Sequence, residues 1–207
     1  MEPIFFDSIE IPAPSKEIFR RMGFKRGKTQ LSPTQAREIE NYMDDALSDI
    51  QLKGAGVRIP VCNKSVSEIA LSSGYIIQSV KLANMLSRSN EILLIGATAG
   101  PNIMETIRQD STRNNLTRAV VLDAVAGEMA DAALDWIIRY FNHELRRENK
   151  RLTNGRFSAG YGDFDIENQR WIYKALSLDR LGISLTESLM LIPEKSVTAI
   201  MGIEEFA

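Results

Sequence analysis

Residues 91–98 read EILLIGAT, a nearly continuous apolar run of strand length. A run this short with no polar alternation predicts a central strand buried on both faces. Around it the pattern changes repeatedly. Residues 4–11 predict a short strand ended by Pro12, and Ser15 predicts the cap of a short helix, KEIFRRM, closed by Gly23. The basic run Lys25 to Lys28 predicts a loop. Ser32-Pro33-Thr34-Gln35 is a helix start, with Ser32 as cap, Pro33 at the first helical position and Gln35 completing a capping box. That helix is expected to run to about Leu52 and to stop at Gly54-Ala55-Gly56. Val57–Val61 and Val66–Leu71 read as strands, and Ser79 reads as the cap of VKLANMLS.

Gly100-Pro101 ends the apolar strand and opens a helix of about ten residues. A longer helix is expected from about Asn115, reaching as far as Lys150. At about 100° per residue, Val120, Leu134, Ile138, Phe141 and Leu145 fall on one stripe. Leu122, Met129, Trp136 and Tyr140 fall on a second stripe, so the helix is expected to pack on two sides. Asp123, Asp131 and Asp135 lie at the margin of the first stripe. Acids there are ordinarily solvated and gain interest only if something cationic approaches. A loop over 151–161 follows, then a helix around Ile166–Leu176 capped by Asp165 and stopped by Gly182. ISLT, SLMLI and SVTAIMGI read as closing strands. Strands joined by short turns favour an α+β fold with a mainly antiparallel sheet over a βαβ repeat.

Composition narrows the function classes. With 207 residues and 44% apolar content the chain can bury a core without disulfides or metals. A net charge of −2 with no basic stripe argues against nucleic acid. One cysteine, Cys62, excludes an intrachain disulfide and a cysteine-rich metal site, and it reads as a small core residue. The acidic, proline-containing start resembles neither a signal nor a transit peptide, and no apolar run approaches membrane-spanning length. The expectation is a cytoplasmic protein without a membrane or nucleic-acid partner.

Candidate chemistry is sparse. His143 is the one histidine, without a second for a triad or a metal pair, and reads as a surface or half-buried structural residue. GATAGP, residues 96–101, lacks the lysine and spacing of a P-loop and reads as a structural turn. The stretch RFSAGYGDFDIENQ, residues 156–169, is richer. Glycines at 155, 160 and 162 permit positive φ and close approach, Arg156 offers a planar fork for a carboxylate or phosphate, and Tyr161 offers a flat face with a polar tip. The residues alone leave a ligand loop and a plain loop equally open.

Taken in order, Arg156, Gly160 and Tyr161, the helix bearing Gln169, Leu185–Ser188, Pro193 and Ser196-Val197 resemble the activation domain of cobalamin-dependent methionine synthase. ATAG before a helix and LDAVAGEMADAALDW have counterparts there too. The resemblance covers residues 65–203, is weak over 1–60, and implies one activation-like domain over 1–207 with a curved, C-shaped α+β fold. It implies that S-adenosylmethionine is bound by Arg156 at its carboxylate, by Ser158, Gly160 and Tyr161 along the loop, and by Asp131 opposite its positive charges. Asp131 stands where the family has a glutamate, and Ala159 replaces the second proline of the family's loop. The sequence ends at Ala207, without the family's later tyrosine-bearing segment, so the adenosine side of the pocket is expected to be open or differently built.

What the resemblance implies for function is equally specific. The family's domain presents the methyl group of S-adenosylmethionine to oxidised cob(II)alamin. An electron, usually from a flavodoxin, reduces the cobalt, and the resulting cob(I)alamin takes the methyl group. This chain has neither an Asp-x-His-x-x-Gly cobalamin loop nor a zinc-binding cysteine cluster. The expected partners are therefore a cobalamin-dependent methionine synthase lacking this domain, which carries the cobalamin, and a flavodoxin-like donor. This chain would be an accessory component of a methyltransferase, not catalytic alone. The alternative is a relative without S-adenosylmethionine activity that binds another corrinoid protein.

Overall fold

A computed structural model describes residues 2–25 and 28–206; the expected loop over Lys25–Lys28 therefore lies in part outside the described residues. The sheet is built on β5 (Glu91–Thr98), which pairs with β2 (Lys53–Lys64) on one side and β9 (Ser196–Glu205) on the other. The path runs β4 (Ile76–Gln78), β3 (Glu68–Leu71), β2, β5, β9, β6 (Lys150–Leu152), and β1 (Ile4–Phe6) adds to β2. Every pairing is antiparallel, and the sheet curls into a half-barrel packed with helices, an α+β fold. β7 (Ser184–Leu185) and β8 (Leu191–Ile192) form a separate hairpin, so of the three expected closing strands only SVTAIMGI enters the main sheet.

The EILLIGAT run is the central strand, and its pleat divides it between two cores. Leu93, Ile95 and Ala97 join the cluster formed with α5 (Leu116–Arg146), while Ile92 and Leu94 join one with Leu86, Ile172, Leu176 and Leu178. Four shorter helices complete the layers: α1 (Ser15–Arg21), α2 (Pro33–Asp49), α3 (Val80–Met85) and α4 (Pro101–Thr112). α6 (Asn168–Ala175) follows the loop region. The capping box at Ser32 and Gln35 is formed in both directions, and Ser79 Oγ accepts from Leu82 N at 3.0 Å. His143 is exposed.

Several expectations are corrected. Gly54-Ala55-Gly56 does not stop a helix, because α2 has already ended at Asp49 and these residues lie inside β2. Positions 54 and 56 are glycine because α5 crosses closely: a Cβ at Gly54 would meet Ile137, and one at Gly56 the Phe141 ring. α5 ends at Arg146, and Lys150 begins β6 instead of closing the helix. Within α5, Val120 is 58% exposed, whereas Val121 and Ile137 are buried. Packing against α4 and α2 as well as the sheet turns the buried arc past the expected stripe. Val66 is exposed before β3 begins. Cys62 is also exposed, since the β2–β3 register shifts between Val61 and Asn63 and leaves it at the irregularity. Pro14, rather than Ser15, precedes α1, and Asp165, three residues ahead of α6, forms a turn by accepting from Glu167 N at 2.9 Å.

Away from the helices, Arg58 bridges Glu91 and Glu148, and Lys150 bridges the same two acids, tying β2, β5 and β6 together. The hydrogen bond from Arg58, helped by Lys150, holds the Glu148 carboxyl at about 2, against an ordinary value of 4.5.

Two outcomes follow from this packing. Gly56→Ala should lower unfolding free energy by about 1–3 kcal/mol in urea titrations, because the added methyl meets the Phe141 ring. Combining it with Phe141→Leu should give less than the sum of the single effects. For Glu148 the folded-state pKa is depressed, so its contribution is complete above the ordinary carboxylate value and is lost as pH falls towards about 2. Urea midpoints should therefore drop through that window, and Glu148→Gln should flatten part of the drop, less so in high salt.

Candidate functional site

The loop between β6 and α6 finds its backbone partners on β9. Thr153 N donates to Gly202 O at 2.9 Å, Phe157 N donates to Ile200 O at 2.9 Å, and Ile200 N returns a bond to Phe157 O at 2.7 Å. Ser158 Oγ donates to Thr198 O at 2.7 Å. The chain then turns at Gly160 (φ 87°) and Gly162 (φ 61°), and Gly160 N donates to Phe164 O at 2.8 Å. Phe164 is 1% exposed and roots the turn in the core. Beyond it, Asp163 accepts from Ser79 Oγ at 2.7 Å and from Val80 N at 2.8 Å, which fastens the loop to the start of α3. The Ser79 hydroxyl, together with the backbone amides of Lys81 and Val80, holds the Asp163 carboxyl below its ordinary range. Rigidity at Ala159 thus comes from hydrogen bonds on either side of it.

This loop forms one wall of a cavity of about 580 Å³, a size that suits a small organic ligand. β9 residues 196–198 form another wall, and the hairpin carrying Leu189–Leu191 a third. Of the residues expected at a site, Asp131, Arg156, Ser158 and Tyr161 all line this cavity. Gly160 turns the loop beside it without forming a wall. Tyr161 is 71% exposed, with its ring free to cover a ligand. Sequence reasoning did not assign Gln169, Glu194 or the hairpin residues Leu189 and Met190, which also line the cavity. Nothing local marks them. The one signal is the Leu-Thr-Glu-Ser turn, where Thr186 Oγ1 accepts from Met190 N at 3.0 Å and sets the hairpin.

The acids at the edge of the α5 stripe do meet cations. Lys195 Nζ lies 2.8 Å from Asp123 Oδ1. Arg156 Nη1 donates to Asp135 Oδ1 at 2.6 Å and Nη2 to Asp131 Oδ1 at 3.3 Å. Both arms of the fork expected to hold a ligand carboxylate are thus engaged by the chain's own acids. A second arginine arrives from α1: Arg21 Nε donates to Glu128 Oε1 at 2.6 Å and Nη2 to Asp131 Oδ2 at 3.5 Å. Its guanidinium passes over Gly127, where a Cβ would sit 3.2 Å from Nη1. Asp131 is therefore held between two arginines, one on each oxygen. Burial nevertheless pushes its carboxyl above the ordinary range, with Arg156 and Arg21 opposing that shift.

No family model matches the chain, and no curated protein does. Solved structures do. The chain superposes on the crystal structure of the MetH reactivation domain bound to AdoHcy with a TM-score of 0.69 and 14% identity, covering 98% of this chain and 78% of that one. It shares that domain's fold. Among the described residues no helix is long and apolar enough to cross a membrane.

The clamp on Asp131 can be tested directly. Arg21→Ala removes one of the two cations that oppose burial, so the Asp131 carboxyl should titrate at higher pH than in the unaltered chain, read by ¹³C NMR of the side chain. Arg21→Lys should restore part of the shift. An unchanged titration in Arg21→Ala would show that α1 does not position this acid.

Proposed function

We propose that this chain binds S-adenosylmethionine in the 580 Å³ cavity and serves as the activation component for reductive remethylation of cob(II)alamin in a cobalamin-dependent methionine synthase, acting in trans. One observation carries the reading. Asp131, Arg156, Ser158 and Tyr161, set apart by up to 30 positions in sequence, line a single cavity in a fold shared with a MetH reactivation domain. In this reading Arg156 exchanges its bond to the exposed Asp135 for the methionyl carboxylate, keeping a planar two-point contact. Asp131 faces the ammonium and sulfonium charges, and Tyr161 closes over the bound molecule. The protein's contribution is to hold the methyl donor at an accessible rim. The corrinoid, carried by the partner methionine synthase, supplies the redox and methyl-accepting chemistry. Per turnover one electron from a flavodoxin-like donor would go to the partner's corrinoid, which would then take the sulfonium methyl group as a formal methyl cation; the C–S bonding pair stays on sulfur, and S-adenosylhomocysteine remains in the cavity.

A second reading is favoured by one feature: the Arg156 fork is already satisfied by Asp131 and Asp135. An arginine so engaged also serves a purely structural loop, as in a relative that has lost the ligand and binds another corrinoid protein.

Calorimetric titration with S-adenosylmethionine separates the two. The activation reading expects binding, weakened about 10- to 100-fold by Arg156→Ala. Asp135→Asn should leave affinity equal or tighter, since it frees one arm of the fork. Addition of a methionine synthase lacking this domain, with cob(II)alamin bound and a reduced flavodoxin, should then give methylcobalamin. No heat with the unaltered chain would favour the structural reading.

A further inference from the structure

The polar side chains of the cavity differ in whether their hydrogen bonds are already made. Ser158 Oγ gives its proton to Thr198 O at 2.7 Å, Ser196 Oγ gives its own to Thr98 Oγ1 at 2.8 Å, and Thr198 Oγ1 donates to Gln169 Oε1 at 3.1 Å. Gln169 lines the cavity and is 4% exposed, and its Nε2 has no partner among the described residues. In this arrangement the Thr198 hydroxyl meets the oxygen end of the amide, and the donor end is unpaired. Leaving a buried amide unsatisfied costs about 1–3 kcal/mol, so such a group calls for an explanation.

The surroundings define what could satisfy it. Ile166, Leu189, Leu191 and Val197 supply apolar walls to the same cavity. A lone donor among such walls suits an acceptor on the edge of a flat, largely apolar ring; a hydroxyl-rich or charged group would need several partners. The Arg156–Asp131 pair lies elsewhere along β9, while one further acid, Glu194, lines the cavity just ahead of that strand. Phe157 pairs with Ile200, which places Arg156 next to position 201, whereas Gln169 bonds position 198. Three residues of strand separate them by roughly 10 Å. A ligand with a charged head at Arg156 thus reaches Gln169 with its far end.

Resting on the proposed function above, we infer that Gln169 is the specificity-determining residue for the nucleobase, donating from Nε2 to a ring nitrogen of the purine. Nε2 shows almost no surface in the ligand-free chain, so the base reaches it by displacing a lining side chain. Met190, unbranched and 60% exposed on the hairpin, has the room to move.

The test titrates the unaltered chain and Gln169→Glu with S-adenosylhomocysteine and with adenosine. The glutamate keeps the oxygen that Thr198 reaches and replaces the donor by an acceptor. Both ligands should bind the variant roughly tenfold or more weakly, by a similar factor. Should the variant fail to fold, the unaltered chain is titrated with 1-deaza-, 3-deaza- and 7-deazaadenosine, one of which should bind about tenfold more weakly than adenosine. Equal affinity of variant and unaltered chain for both ligands, or of all three deaza compounds and adenosine, overturns the role of Gln169 and leaves the activation reading standing. Adenosine binding that depends on Gln169, with no binding of S-adenosylhomocysteine or S-adenosylmethionine, supports Gln169 and overturns the activation reading. No binding of any of these ligands overturns both.

Discussion

The two-way hydrogen bond between Phe157 and Ile200 is the contact on which the candidate site depends. A loop of fifteen residues, 153–167, that carries three glycines cannot hold a side chain in place by itself, because its backbone has too many conformations to lose. Pairing Phe157 with β9, the strand beside central β5, gives the loop the rigidity of that strand. It sets Arg156 on one side of the bridge and Ser158 over Thr198 on the other. The strand can serve this purpose because β5 fixes it along eight residues of register, from Glu91↔Ile203 to Thr98↔Ser196.

The second half of the site arrives by a different route. Asp131 lies near the middle of α5, which reaches across the sheet only because Gly54 and Gly56 leave room for Ile137 and Phe141. The glycines of β2 and the acid of α5 are thus parts of one arrangement, although neither touches the other. Where the helix meets the loop, Arg21 and Arg156 face Glu128, Asp131 and Asp135: two cations against three carboxylates. That excess of one negative charge suits a ligand with net positive charge. The pairs are partly solvated, so each is worth little to folding and can be exchanged for a ligand at small cost. Exchangeability of this kind is what a binding site requires of its internal contacts.

Much of the fold was legible because it rests on local rules. The EILLIGAT run, the Ser32–Gln35 capping box and the Ser79 cap each specify structure through neighbouring residues, and each stands where the pattern places it. The misplacements have a common origin in distant partners. Glycines 54 and 56 look like a helix stop until the helix that passes over them is known. Val120 belongs to the expected stripe by angle, but the partners of α5 turn its buried arc onto Ala119, Val121 and Leu122 and leave Val120 outside. Cys62 reads as a core residue by type in a strand-like segment, but it is exposed at an irregularity in the β2–β3 pairing.

At the site the division is the same. By itself the sequence determined the chemistry on offer: an arginine fork, a tyrosine and paired glycines in one loop, acids on one helix, and too little basic charge for nucleic acid. The charge balance is a count, a net −2, and the rest depend only on residue type and spacing; the reading against nucleic acid stays an expectation. The tertiary structure decided that Asp131 lies beside Arg156, that Arg21 reaches it from the first helix, and that Gln169 is buried with one end of its amide unpaired. Such relations join residues up to 110 positions apart, and their energies come from burial and distance in space, which no local pattern encodes.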